Sequence, residues 1–114
     1  MTARGSSGSV VLVGCGRLGS AIVEGWLRAA PIAPSELIIL TPSAKPAAEA
    51  ARRRGARINP PLADLAQTGV LVLAVKPAVW REALAGPAAH LPDGAVVLSV
   101  MAGVRASDIA SVAR

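Results

Sequence analysis

The sequence predicts an α/β domain with an open, doubly wound parallel sheet of about five strands and flanking helices. Short, continuous apolar runs rich in Val, Ile and Leu recur along the chain, as is typical of strands that are buried on both faces of a sheet. Each run is separated from the next by a stretch of helical character, which is how parallel strands are connected. At 114 residues, 53% of them hydrophobic, the chain has the length and the apolar content for one domain with its own core.

The individual elements follow from the apolar runs and from the residues that interrupt them. Pro31 and Gly55 end helical patterns, the Asn-Pro-Pro segment 59–61 breaks a short strand, and the Leu-Pro-Asp-Gly segment 91–94 forms a turn. The strands are predicted at Ser9–Val13, Leu37–Leu40, 56–58, 70–75 and 95–100. The helices are predicted at 18–30, 46–54, 62–67, 77–90 and 105–114. Residues 1–8 are rich in Gly and Ser and are expected to form a flexible tail, which leaves residues 9–114 as the domain.

The composition excludes several classes of partner. A net charge of +5 suits nucleic acid, a membrane surface or a phosphorylated small molecule. Trp26 and Trp80 are the only aromatic residues, which argues against a protein that stacks bases. The apolar runs are too short to span a membrane, and one cysteine excludes an internal disulfide or a multi-cysteine metal site. We therefore expect a cytoplasmic protein with a phosphate-bearing small ligand, and neither nucleic acid nor membrane as a partner.

A glycine-rich segment identifies the class of ligand. Residues 14–19 fit the pattern G-x-G-x-x-G, and they lie between the first predicted strand and the helix that follows it. In a Rossmann-like domain the first glycine allows the tight turn, the second lets the backbone approach a pyrophosphate, and the third lets the helix pack on the strand. The backbone N–H groups at the start of the helix then bind the anion. The alternative is a turn that needs glycine for its geometry alone. The residues assigned to the cofactor are Gly14, Cys15, Gly16, Arg17, Leu18 and Gly19.

The end of the second strand indicates which dinucleotide is bound. A carboxylate about 20 residues after the glycines would take the ribose hydroxyls of NAD and repel a 2′-phosphate. The chain has Thr41, Ser43 and Lys45 there instead, and no acid between Glu36 and Glu49. Because hydroxyl donors and an ammonium group suit a phosphate, these residues favour NADP over NAD. An ordinary helix cap and a solvated lysine would leave the same pattern.

Four segments together resemble the pyrroline-5-carboxylate reductases. They are Gly14-Cys-Gly-Arg-Leu-Gly-Ser-Ala-Ile-Val23, Thr41-Pro42-Ser43, Leu73-Ala-Val-Lys-Pro77 and Ser99-Val-Met-Ala-Gly-Val104, in the order and spacing of that family. The resemblance implies that residues 14–19 hold the pyrophosphate and that Ser43 contacts the 2′-phosphate. It also implies a reductase that transfers hydride from NAD(P)H to a small cyclic imine, pyrroline-5-carboxylate, to give proline. Further residues are implied to line the ribose and nicotinamide side: Ala74, Val75, Lys76, Pro77, Val100, Met101 and Ala102.

The chain departs from the family pattern at three points. Pro61 stands where the family often has an asparagine near the adenosine ribose, although Asn59 is two residues away. Met101 replaces an alanine and is expected to add bulk beside the nicotinamide. The chain ends at Arg114, before the helical domain that dimerises and forms the substrate pocket in the family. We therefore expect a cofactor-binding domain that is incomplete as an enzyme and that self-associates through exposed apolar surface.

Other residues carry no catalytic assignment. Cys15 is expected to be a small buried side chain, the arginines at 52–54 and 57 a solvated face, and His90 a helix-end residue. No pair of acids suggests proton transfer, and hydride transfer depends on the cofactor. Two other interpretations remain open. One is another dehydrogenase with a similar first domain, of the β-hydroxyacid or coenzyme F420-dependent type, and the other is a stand-alone nucleotide-binding module with a regulatory role.

Overall fold

A computed structural model describes residues 8–29, 32–43, 45–101 and 104–113. Strands and α-helices alternate over these residues, and short 3-10 helices connect some of them. The elements are β1 (Ser9–Val13), α1 (Arg17–Ala29), β2 (Leu37–Leu40), α2 (Pro46–Arg53), β3 (Arg57–Ile58), β4 (Thr68–Leu73), α3 (Trp80–Ala88), β5 (Val96–Ser99) and α4 (Ala106–Ala113). The 3-10 helices are Pro34–Glu36, Leu62–Gln67 and Pro77–Val79.

The five strands form one parallel sheet in the order β3-β2-β1-β4-β5. Val11 in the centre pairs with Ile38 of β2 on one side and with Leu71 of β4 on the other. The chain winds outward from β1 in both directions, so the connections diverge between β1 and β4. The carboxyl ends of strands at such a point are where open α/β sheets bind ligands. The predicted fold class is confirmed.

The two faces of the sheet carry separate hydrophobic cores because side chains alternate along each strand. Leu12 packs with residues of α1 and α2, where Ala48 and Ala51 let the helix lie close to the sheet. Val11 and Val13 pack on the opposite face with residues of α3 and α4. Full burial of a side chain such as Leu12 stabilises the fold by about 2 kcal/mol. Both cores are almost entirely aliphatic.

The largest differences between predicted and observed boundaries are at β4 and in the helix that follows it; β3 and β5 are each shorter than predicted by one residue at one or both ends, and the helix predicted at 62–67 is a 3-10 helix. The strand predicted at 70–75 is Thr68–Leu73, because the Thr68 hydroxyl donates to the Leu65 carbonyl (2.7 Å) and Thr68 pairs with Ser9. The helix predicted at 77–90 is a 3-10 turn followed by α3. Of the predicted tail, only Gly8 is among the described residues. None of the described helices is long and apolar enough to cross a membrane.

Candidate functional site

The turn after β1 ties together the carboxyl ends of three strands. Gly14 has φ +98°, and a Cβ atom on it would lie 2.6 Å from Val75 Cγ1 and 2.8 Å from the Ala74 carbonyl oxygen. The Gly14 N–H donates to the Leu40 carbonyl (2.8 Å), and the Ala74 N–H donates to the Val13 carbonyl (2.9 Å). No residue with a side chain fits at position 14, because both its backbone conformation and its neighbours exclude a Cβ.

The second and third glycines of the motif have opposite surroundings. A Cβ on Gly19 would collide with the Gly14 carbonyl oxygen and lie 3.0 Å from the Gly14 carbonyl carbon, so this glycine lets α1 pack against the turn. A Cβ on Gly16 would meet no described atom within 4 Å. Gly16 thus faces open space at the start of α1. The space in front of it is where a ligand can approach the backbone.

The first turn of α1 presents an anion-binding end to this open space. The Ser20 N–H donates to the Gly16 carbonyl (2.8 Å), which is the first helical hydrogen bond. The N–H groups of Arg17, Leu18 and Gly19 precede that bond and therefore have no partner within the helix. Unpaired N–H groups and the helix dipole together favour an anion at this position.

Cys15 faces the interior rather than this open space. Its side chain is 1% exposed and packs in the core formed with α1 and α2. The thiol lies 3.6 Å from Ser20 Oγ, and the Ser20 hydroxyl donates to the Cys15 carbonyl (2.9 Å). Cys15 is the small buried side chain expected from the sequence, and only its backbone belongs to the exposed loop.

The end of β2 is held by a bridge between residues that are 18 positions apart. The Thr41 N–H donates to Asn59 Oδ1 (2.9 Å), and Asn59 Nδ2 donates to the Thr41 carbonyl (2.8 Å). The Thr41 hydroxyl donates to the Ser43 carbonyl (3.0 Å). The Thr41 hydroxyl therefore uses its proton to stabilise the turn. The Ser43 side chain is exposed, and Lys45 precedes α2 in extended conformation.

Three cations follow three different strands at the same edge of the sheet. Arg17 comes after β1, Lys45 after β2 and Lys76 after β4. Arg17 and Lys76 are exposed, Lys45 is half-buried, and none of the three forms an ion pair with another described residue. These three cations are therefore available to bind an anion at this edge.

The arginine cluster differs from these cations, because it is largely paired and solvated. Arg52 contacts Glu49 at 2.8 Å, and Arg57 contacts Asp64 at 3.2 Å. The hydrogen bond from Arg52, more than the nearby charges of Arg52 and Arg53, lowers the pKa of Glu49 below its usual value. The cluster is the solvated face that the sequence predicts.

The ends of β4 and β5 form the other half of the site. Ala74 is buried, Lys76 is exposed at the start of a 3-10 helix, and the Val100 N–H donates to the Leu73 carbonyl (3.2 Å). Met101 packs against the core formed with α3 and α4. Its N–H donates to Ser99 Oγ (3.1 Å) rather than to a neighbouring strand. The expected bulk of Met101 thus lies partly within the core. Ala102 lies outside the described residues.

A cavity of about 580 Å³ opens beside the glycine turn. Gly14 and Thr41 lie on its border, and Glu82 of α3 is its single charged lining residue among those described. Sequence reasoning gave Glu82 no role, because only the packing of α3 beside the end of β2 brings it to the cavity. The sequence signal that could have identified Glu82 is its position in the first turn of the helix after β4, since that turn lies near the carboxyl edge of the sheet. The remaining lining residues are Val13, Leu40, Pro42, Asn59, Pro60, Leu62, Val75, Val79, Ala83 and Pro87.

Comparison with known proteins shows the family of the chain. A family model described as "NADP oxidoreductase coenzyme F420-dependent" matches residues 9–103, which include the glycine loop and all five strands. The chain belongs to this family. The pyrroline-5-carboxylate reductases of Escherichia coli (strain K12) and Shigella flexneri are each 27% identical to it over 99 residues. These matches confirm the resemblance found in the sequence. They cover 86% of this chain and 37% of each relative, so the chain spans little more than a third of their length.

Solved structures share the fold of this domain. The pyrroline carboxylate reductase of Plasmodium falciparum with NADP bound has a TM-score of 0.74 at 21% identity, over 95% of this chain and 38% of that one. A variant of the imine reductase of Myxococcus stipitatus in complex with NAD+ has a TM-score of 0.63 at 18% identity, over 84% and 32% of the two chains. At these identities the likeness establishes the common architecture.

Proposed function

We propose that the chain is the NADP(H)-binding part of a reductase that transfers hydride to pyrroline-5-carboxylate. The observation that carries the proposal is the contrast among the three glycines. Gly14 and Gly19 are required by contacts within the protein, whereas Gly16 faces open space at the positive end of α1. No contact with a described residue gives a reason for glycine rather than alanine at position 16, beyond the modest preference for glycine just before a helix. A pyrophosphate close to the backbone does give one.

The proposal for NADP rests on charge at the end of β2. Ser43 is exposed and Lys45 is free of ion pairs among the described residues, so both can meet a 2′-phosphate. Thr41 supports them by fixing the turn through Asn59. The family description and the NADP held by the Plasmodium falciparum enzyme support the same assignment.

The reduction itself depends on the cofactor, because the nicotinamide ring supplies the hydride. We propose that residues 74–77, Val100 and Met101 orient its ribose and ring at the ends of β4 and β5. The imine site and any proton donor are proposed to lie in polypeptide beyond these 114 residues, since the reductases that support this assignment are much longer. The resemblance to these reductases also supports a cytoplasmic location.

A titration of the chain with NADPH and NADH tests the proposal. We expect NADPH to bind at least about tenfold more tightly than NADH, because a 2′-phosphate adds charge-assisted hydrogen bonds. Isothermal calorimetry or the fluorescence of the reduced nicotinamide gives both affinities. Failure of both cofactors to bind would refute the proposal. Equal binding would refute the phosphate site and leave the glycine loop as a general dinucleotide site.

The β5 edge supports a second proposal, namely that two copies of the chain associate. Val96 and Leu98 of the edge strand β5 and Val100 just beyond its end are 50%, 51% and 43% exposed, and their alternate positions place them on one face. A second copy related by a twofold axis would pack the same face against it, so that the apolar side chains of both copies are covered. Light scattering over a concentration series should show a dimer that Leu98→Lys dissociates and Ala85→Lys, on the exposed face of α3, does not. A wild-type monomer at every concentration would contradict this proposal.

A further inference from the structure

Glu82 differs from every other residue that lines the cavity beside the glycine turn. It carries the only charge among the described lining residues and has no hydrogen bond or ion pair within the described part of the chain. The Asn59 amide donates and accepts hydrogen bonds with Thr41, and the Thr41 hydroxyl donates to Ser43. Glu82 is therefore the polar side chain of the cavity that makes no hydrogen bond within the described residues, and its exposed carboxylate is available to a ligand.

The position of the cavity limits what part of a ligand can occupy it. Gly14, at the proposed pyrophosphate site, and Thr41, beside the proposed ribose phosphate site, both lie on its border. A dinucleotide with its phosphates at these two positions has its adenosine half on this side of the sheet. The lining is otherwise mostly apolar, with Leu40, Leu62 and Val79 among its members, and such a surface suits the faces of an aromatic base.

We propose that Glu82 selects adenine by accepting a hydrogen bond from the exocyclic amino group of the base. This inference rests on the proposed binding of NADP(H). An ionised carboxylate only accepts hydrogen bonds, so it attracts the amino group of adenine. Hypoxanthine carries a carbonyl oxygen at the same ring position, and two acceptors repel each other. Glu82 is thereby a specificity-determining residue on a helix that contributes nothing to the glycine motif.

Four dinucleotides separate a contact to the base from a contact to the ribose. They are NADPH, NADH and the counterparts of each in which hypoxanthine replaces adenine. The wild-type chain should prefer the adenine form about five- to tenfold in both pairs, as expected for one solvent-accessible charged hydrogen bond. Glu82→Ala should bring both ratios close to one. Glu82→Gln should also tolerate both bases, because its amide can donate to the carbonyl oxygen or accept from the amino group.

The controls and the contrary outcomes are distinct. Glu24→Gln on the exposed face of α1 removes the same charge away from the cavity and should keep the wild-type ratios. If the wild-type chain binds NADPH but shows no preference for adenine, base selection by Glu82 is refuted while the proposed function stands. A Glu82→Ala variant that changes the NADPH to NADH ratio and leaves the base ratio intact would assign Glu82 to the ribose instead. Absence of binding to all four dinucleotides would overturn the proposed function and this inference with it.

Discussion

Alanine substitutions at Gly16 and Gly19 should separate the ligand-binding role of the glycine loop from its structural role. A methyl group at position 19 would collide with the Gly14 carbonyl oxygen, and it would lie 3.0 Å from the carbonyl carbon. Backbone cannot move aside as a flexible side chain can, so α1 must shift away from the turn. Overpacking of this kind costs about 2 to 3 kcal/mol.

A methyl group at position 16 meets no described atom within 4 Å, so the folded domain accommodates it. Gly16 provides the carbonyl of the first helical hydrogen bond, and alanine is less favourable than glycine at that position. The cost should stay below about 1 kcal/mol. The effect of Gly16→Ala on NADPH binding should be much larger than its effect on stability, because the methyl group occupies the space between the backbone and the pyrophosphate. We expect the affinity of Gly16→Ala to fall by about tenfold or more.

Thermal unfolding followed by circular dichroism, with an NADPH titration of each variant, measures both effects. For a domain of this size, Gly19→Ala should lower the Tm by roughly 10 to 20 °C and Gly16→Ala by less than roughly 6 °C. Gly25→Ala in the same helix is the matched control, since its Cβ also meets no described atom within 4 Å. It should raise stability by about 0.5 to 1 kcal/mol and leave NADPH binding unchanged. A Gly16→Ala variant that binds NADPH like the wild type would refute the reasoning, and so would one as unstable as Gly19→Ala.

Two further predictions concern the end of β2. Lys45→Ala and Ser43→Ala should each weaken NADPH binding about three- to tenfold and leave NADH binding unchanged, and loss of both affinities in equal measure would argue against a phosphate contact. Asn59→Ala should destabilise the fold by about 2 to 3 kcal/mol, because it breaks two hydrogen bonds to Thr41 and places alanine at φ +50°. Asn59→Gly loses the hydrogen bonds but tolerates that φ, so in urea unfolding it should be less destabilised than Asn59→Ala, and the opposite order would contradict the role of the left-handed conformation.

The bounds of β1 and β2 were predictable because both ends of each apolar run are marked. β1 and β2 begin and end at the predicted residues, where runs of Val, Leu and Ile stop at a glycine or at Thr41. β4 was displaced by two residues because its first positions, Thr68 and Gly69, are not apolar. Thr68 belongs to the sheet through its pairing with Ser9 and through the hydrogen bond of its hydroxyl to the Leu65 carbonyl. Pairing with a neighbouring strand is not visible in a local pattern.

The same reason explains which parts of the site could be found from the sequence. The glycine loop is a local motif, and its position between a strand and a helix follows from local patterns. The bridge between Asn59 and Thr41 spans 18 positions, and Glu82 reaches the cavity only through the packing of α3 on the sheet. The family resemblance drew attention to an asparagine near Pro61, and in the structure the Asn59 amide both bridges to Thr41 and lines the cavity. Contacts between segments that are distant in sequence can be identified only when the fold is known.

The hydrogen bonds at the carboxyl edge indicate how this site can tolerate change. The backbone N–H groups of Gly14, Ala74 and Val100 donate hydrogen bonds to the carbonyls of adjacent strands, at Leu40, Val13 and Leu73 respectively. The backbones of these strands are therefore joined where the ligand is proposed to bind. A site fixed by backbone contacts needs little rearrangement on binding, and its shape is insensitive to the exposed side chains around it. Substitutions at Ser43, Lys45 or Glu82 can therefore change which dinucleotide is preferred at little cost in stability. Substitutions at Gly14, Gly19 or Asn59 alter the edge itself, so stability and binding should fall together.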